Sequence, residues 1–169
     1  TVSGTLTHNN TSGTKTYTGL VTINSGGNWN NTGNSPITFR GGISNNGTFN
    51  SGTGVQTFST NNQSVSGTIS IASATVTGIT LTNNGTLSIT TALAGTGVLT
   101  QGANDILYLG GTTTITTLTA TASGNTVVYN GAAQTVKGTT YQNLNLDGSG
   151  TKTLGNATTT NGTLTVNTG

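Results

Sequence analysis

Charge is nearly absent from this chain. Lys15, Arg40, Lys137 and Lys152 stand against Asp105 and Asp147, so 4% of 169 residues are charged, where an average domain has about 25%. With so few titratable groups the chain is expected not to be an enzyme. The four cations are scattered, and a nucleic-acid surface needs them clustered to neutralise phosphates. There is no cysteine and no methionine. No disulfide staples the fold, so backbone ladders and side-chain packing must hold it. The missing initiator methionine points to a processed chain or an excerpt of a larger one. No apolar run approaches the roughly 20 residues that span a bilayer. The single proline, Pro36, suits an edge or a corner.

Thr, Asn, Ser and 27 Gly take the place of the missing types. Disordered chains combine low hydrophobicity with high net charge. Here the net charge is +2 and β-branched residues abound, a composition that favours strands. No apolar set recurs at helical spacing. Alternation of period two is widespread, as in Gly67-Thr68-Ile69-Ser70-Ile71, Thr86-Leu87-Ser88-Ile89, Asn143-Leu144-Asn145-Leu146 and Thr163-Leu164-Thr165-Val166. It turns the apolar members one way and Thr, Ser or Asn the other.

One phrase returns along the chain: Asn46-Gly47-Thr48-Phe49, Asn84-Gly85-Thr86-Leu87 and Asn161-Gly162-Thr163-Leu164. The interval from Gly85 to Gly162 is close to twice that from Gly47 to Gly85, and Gly67 falls near the middle of the shorter one. The underlying step is about 18–20 residues, and a fixed step marks a repeat architecture. Asn-Gly between alternating runs is ordinarily a hairpin signal, but this period favours coils. The reading is an all-β chain, a single domain over residues 1–169, folded as a parallel β-helix, a β-solenoid, of roughly 7–9 coils. An antiparallel β-sandwich is the alternative. Gly47, Gly67, Gly85 and Gly162 are assigned to corners. Outward Thr and Ser are expected to form hydroxyl ladders, with Asn laddering at corners. The register loosens between residues 95 and 140, where lengthened rungs or loops are expected.

Three segments carry a resemblance: Gly27-Asn28-Trp29-Asn30-Asn31-Thr32-Gly33, residues 79–87 and residues 141–154. They resemble the β-strand repeats of giant secreted bacterial surface proteins, the filamentous-haemagglutinin-like and autotransporter-like adhesins. The likeness extends from about Thr18 onward. It implies export, a right-handed β-helix, and a role as stalk, fibre or adhesive surface; it marks no binding residue.

Sites of chemistry are scarce. Asp105 and Asp147 lie far apart in the sequence and read as two solvated loop acids. His8, in the polar run His8-Asn9-Asn10-Thr11, has no Cys or acid beside it, so no metal site forms and an exposed position is expected. Gly52-Thr53-Gly54 and Gly95-Thr96-Gly97 lack the Lys and helix of a phosphate loop and read as corners. No catalytic residue, metal ligand or cofactor is assigned. Phe39, Phe49 and Phe58 fall on apolar alternation positions and are assigned to the core. Trp29, among Asn and Gly, is the candidate exposed contact for a glycan.

The expected function is structural: a non-catalytic component of an extracellular bacterial filament, stalk or adhesin, built by stacking coils. Thr1 to Thr7 and Gly162 to Asn167 both read as strands without charged caps. The expected partner is therefore more of the same, either adjacent repeats or a second copy stacked head to tail. A glycan-binding adhesin and an ice-binding protein are the alternatives. The triplets Thr5-Leu6-Thr7, Thr14-Lys15-Thr16 and Thr16-Tyr17-Thr18 suit ice, but they do not recur at one coil position.

Overall fold

A computed structural model describes residues 1–167. The chain winds as a β-solenoid with three strands per turn, and every ladder among the described residues is parallel. The antiparallel sandwich is thereby excluded. Face 1 holds Thr5–Thr7, Asn28–Asn30, Thr48–Asn50, residues 68–71, residues 86–89, Ile106–Leu109, Thr126–Tyr129, Asn143–Leu146 and Leu164–Val166. These strands mark about nine turns. Face 2 runs from Lys15–Tyr17 through Ile37–Phe39, Val55–Ser59 and residues 73–77 to Lys152–Leu154. Face 3 runs from Val21–Ile23 through Ile43–Asn45 to Val98–Gln101, Thr117–Thr119, Thr140–Tyr141 and Thr159–Thr160.

The step follows from the pairing. Thr68 pairs with Thr86, Thr86 with Ile106 and Ile106 with Thr126, so the central turns advance the chain by about 18–20 residues, the step of a repeat architecture; the first turn, from Thr5 to Asn28, is longer and the one from Thr126 to Asn143 shorter. The expected loosening between residues 95 and 140 does not reach face 1, whose rungs stay in register there. The turns lengthen slightly, from Thr68–Thr86 to Thr86–Ile106, and on face 3 a single bridge, Ala120 to Tyr141, replaces a ladder between Thr117–Thr119 and Thr140–Tyr141. On face 2 no ladder joins Thr112–Thr113 to Gln134–Val136, and a cleft of about 550 Å³ lies beside that gap.

Inward residues stack turn upon turn. One column reads Ile69, Leu87, Leu107, Val127, Leu144, Leu164; its neighbour reads Ile71, Ile89, Leu109, Tyr129, Leu146, Val166. Period-two alternation creates these columns, because parallel in-register pairing superimposes residues of equal parity.

Corners need glycine where one turn lies directly on another. Gly67 has φ +79°, and a Cβ there would overlap the carbonyl oxygen of Asn45 in the turn before. Gly85 pairs with Gly67 and would overlap its carbonyl oxygen. Both lie inside long strands, Gln63–Thr77 and Thr80–Ala94, which run through this corner; the ladder between them shifts register only past Ile89. Gly47 and Gly162 sit at bends between strands.

Candidate functional site: the outer faces and the open ends

Trp29 is not on the surface. It is 0% exposed, which corrects its assignment as an exposed glycan contact. Its flanking Asn28 and Asn30 point outward, while Trp29 pairs with Leu6 and Phe49 in an inward column. The surrounding Asn and Gly gave a misleading polar context; parity with Leu6 and Phe49 was the better signal. Its ring centroid lies 5.8 Å from Phe49 and 5.8 Å from Phe39. Tyr17, Phe39 and Phe58 form the matching column of face 2, with centroids 6.0 and 5.6 Å apart and planes 22° from parallel in both pairs. Such pairs each contribute about 0.5–1.5 kcal/mol beyond area burial.

His8 is also buried, at 6% exposure, correcting the exposed-loop expectation. Its ring lies 4.5 Å from that of Trp29, and its Nε2 is hydrogen-bonded to the Tyr17 hydroxyl. Burial, and then the charge of Lys15, hold the imidazole below its ordinary value. The folded state therefore favours neutral His8. Its contribution to stability is complete above the unfolded value near 6.5 and is lost as pH falls below it. Thermal melting is expected at lower temperature at pH 5.5 than at pH 7.5. His8→Gln is expected to shrink that difference; an unchanged difference would remove His8 as its source.

The two carboxylates stand apart. Asp105 precedes Ile106–Leu109, while Asp147 follows Asn143–Leu146 two turns on. At roughly 3.3 Å per residue they are offset by about 16 Å along the strand direction. Partial burial raises the Asp105 carboxyl, and Asp147 Oδ1 accepts the Gly148 N–H at 2.8 Å. The cations serve corners. Lys152 Nζ donates to the carbonyls of Gly131, Ala132 and Ser149 at 2.8–2.9 Å. Lys15 Nζ donates to those of Ser12 and Gly13 and to Ser35 Oγ. Among the described residues no three His, Cys, Asp or Glu side chains form a metal cluster, and no helix is long and apolar enough to cross a membrane.

Sequence reading missed the buried amides. Asn31, Asn45, Gln56, Gln63, Asn83, Gln101 and Gln134 are all buried. Gln63 Nε2 donates to the carbonyls of Phe39, Ser59 and Asn61, and its Oε1 accepts the Gly42 N–H. Gln134 does the same for Leu109, Gly111 and Gly131. A bend in a stacked coil leaves backbone groups without ladder partners, and each such group costs about 1–3 kcal/mol if buried unpaired. The amides satisfy them. The signal was parity, since Gln56 matches Phe58, Gln63 matches Val65 and Gln134 matches Val136.

On the outer faces amides and hydroxyls behave differently. Asn50 Nδ2 donates to Asn30 Oδ1 at 2.9 Å, and Asn167 Nδ2 to Asn145 Oδ1 at 3.3 Å. Hydroxyls of stacked Thr and Ser do not bond one another among the described residues, which corrects the expected hydroxyl ladder. Distance explains it. Rungs are about 4.8 Å apart, too far for one short hydroxyl to reach its twin within hydrogen-bond range. An amide spans the gap because its donor and acceptor lie on opposite sides.

Both ends leave core columns open. At the last turn Leu154, Leu164 and Val166 are 53%, 53% and 67% exposed. At the first, a cavity of about 410 Å³ is lined by Val2, Leu6, Tyr17, Leu20, Val21 and Trp29. No protein-family model, curated protein or solved structure matches the chain.

Proposed function

We propose that this chain is a structural segment of an extracellular bacterial filament, stalk or adhesin, and that it extends by coils stacking on its ends. The observation that supports this reading most is the open core at the last turn. Leu164 and Val166 continue columns that begin at Ile69 and Ile71, yet they are more than half exposed. A further rung on Leu164–Val166 would bury them and pair the free strand edge, which is otherwise an association hazard. The first turn offers the complementary surface, a hollow edged by Leu6 and Leu20. Contacts of this head-to-tail kind build open filaments. The bacterial surface location rests on the likeness of residues 79–87 and 141–154 to secreted adhesin repeats.

Nine rungs at roughly 4.8 Å give a rigid body about 40 Å long. With so few charges, stacking places almost no like charges over one another. Adhesion through Trp29 is dropped, because that ring is inside.

Negative-stain electron microscopy and sedimentation of the purified chain test the stacking. Rods longer than one solenoid are expected, growing with concentration. Leu164→Asp with Val166→Asp should return them to single particles while circular dichroism stays β-rich. Monodisperse single solenoids at every concentration would reject self-stacking.

A further inference from the structure

Face 3 carries an unbroken file of outward hydroxyls. Ser64 pairs with Thr82, Thr82 with Thr100 and Thr100 with Thr119. The bridge between Ala120 and Tyr141 sets Thr119 beside Thr140, which pairs with Thr159. Six successive turns therefore present a Ser or Thr at one coil position. Two residues earlier on the strands, Thr80, Val98 and Thr117 form a second file. Two triplets not singled out in the sequence, Thr80-Leu81-Thr82 and Thr117-Leu118-Thr119, occupy one coil position two turns apart, with Val98-Leu99-Thr100 between them, whereas Thr5-Leu6-Thr7 stacks on Asn28-Trp29-Asn30.

None of these hydroxyls has a hydrogen-bond partner among the described residues, and none reaches the next rung. Each needs an acceptor or donor from outside. Such partners must repeat at about 4.8 Å along the first file; in the second, Val98 interrupts, so the hydroxyls of Thr80 and Thr117 lie two rungs apart, about 6.6 Å to the side. β-Branched Thr is stiff at χ1, so the lattice of hydroxyls and methyls is held rigidly by the backbone. These strands carry no charged side chain, and their Leu81, Leu99 and Leu118 turn inward.

These properties select the ligand. A small solute wants a concave pocket, and a charged partner wants opposite charge; neither is present. A straight file of hydroxyls at fixed spacing, flanked by the hydroxyls of Thr80 and Thr117 and the methyls of Val98, fits a solid whose own surface presents hydrogen-bonding oxygens in regular rows. The absence of an outward aromatic on these strands favours water over a polysaccharide, whose sugar rings stack on aromatic faces. We propose that face 3 orders water in register with the solenoid and through it binds ice.

Thermal hysteresis and crystal shaping of the purified chain test this. Growth arrest below the melting point is expected. Thr100→Tyr, at the centre of the file, should abolish it without lowering the melting temperature of the protein. Ser88→Tyr, outward on face 1 beside Tyr108, should leave it intact and shows that a bulky surface residue is harmless by itself. Face 2 carries a shorter Thr file, Thr16, Thr38, Thr57 and Thr75, so Thr57→Tyr is the second arm and should also leave the effect intact. The idea is overturned if the unmodified chain neither halts nor shapes ice, or if Ser88→Tyr or Thr57→Tyr removes the effect and Thr100→Tyr does not. Retention on crystalline cellulose without any effect on ice would also overturn it, assigning the face to polysaccharide. Electron microscopy reads the stacking separately, so neither result decides the other.

Discussion

Replacing Trp29 by alanine is expected to destabilise the first turns by about 3–5 kcal/mol, the cost of emptying a buried aromatic site. Trp29 is the hub of the N-terminal core, with ring centroids of His8, Tyr17, Phe39 and Phe49 at 4.5, 5.0, 5.8 and 5.8 Å. Its removal leaves a hole between face 1 and face 2 that no flexible neighbour fills, because Phe39 is itself stacked on Phe58. The loss should be local. In a solenoid each turn contacts only its neighbours, so stability is close to a sum of turn and interface terms. Amide hydrogen exchange is the suitable measurement. Residues 5–50 are expected to lose protection while residues 86–146 keep theirs. Trp29→Phe should restore most of the protection. Uniform loss along the whole chain, or a change below about 1 kcal/mol, would contradict the packing described.

The contrast with an exposed Trp29 shows which parts of this structure are legible in sequence. Parity was legible wherever residues were plainly apolar. Ile69, Ile71, Leu87 and Ile89 alternate with Thr and Ser and line the core. The step was legible through Gly47, Gly85 and Gly162. Between residues 95 and 140 the Asn-Gly-Thr phrase is missing, but the pairing is not. There, Gly102 to Asp105 and Thr121 to Asn125 supply the corners, and a different corner sequence leaves the strand step unchanged from Thr86 to Ile106 and from Ile106 to Thr126. Residues with polar chemistry at inward parity were the illegible ones. Trp29 among asparagines, His8 in a polar run and Gln63 before Val65 all obey the coil's geometry, not their neighbours' polarity. The hydroxyl file was hidden for another reason. The advance from Thr100 to Thr119 is slightly longer than those from Ser64 to Thr82 and from Thr82 to Thr100. No constant period superimposes them; only pairing does. Thr5–Thr7 and Leu164–Val166, by contrast, were readable as strands.

Gly67→Ala is the sharpest test of corner stacking. Two effects act at this position and a control separates them. The left-handed φ of +79° costs a residue with a Cβ roughly 1–2 kcal/mol. Gly78 has nearly the same conformation, φ +65°, but opens onto empty space. Gly78→Ala is therefore expected to cost about that amount and no more. At Gly67 the new methyl would overlap the Asn45 carbonyl oxygen, a backbone atom of the preceding turn that cannot rotate aside. The corner must open, and what it holds goes with it. Asn45 Nδ2 donates to the Thr68 carbonyl at 2.7 Å, and Asn45 Oδ1 accepts the Gly47 N–H at 3.1 Å. Half-buried groups left unpaired there add about 1–3 kcal/mol. Urea denaturation followed by circular dichroism should place Gly67→Ala well below Gly78→Ala in midpoint. Equal midpoints would mean that only the dihedral matters, and that Gly67 does not set the distance between turns. Because Gly85 stacks on Gly67, the damage should pass upward as well. The double variant Gly67→Ala with Gly85→Ala is then expected to lose less than the two single losses added together, since the first substitution already opens the site of the second.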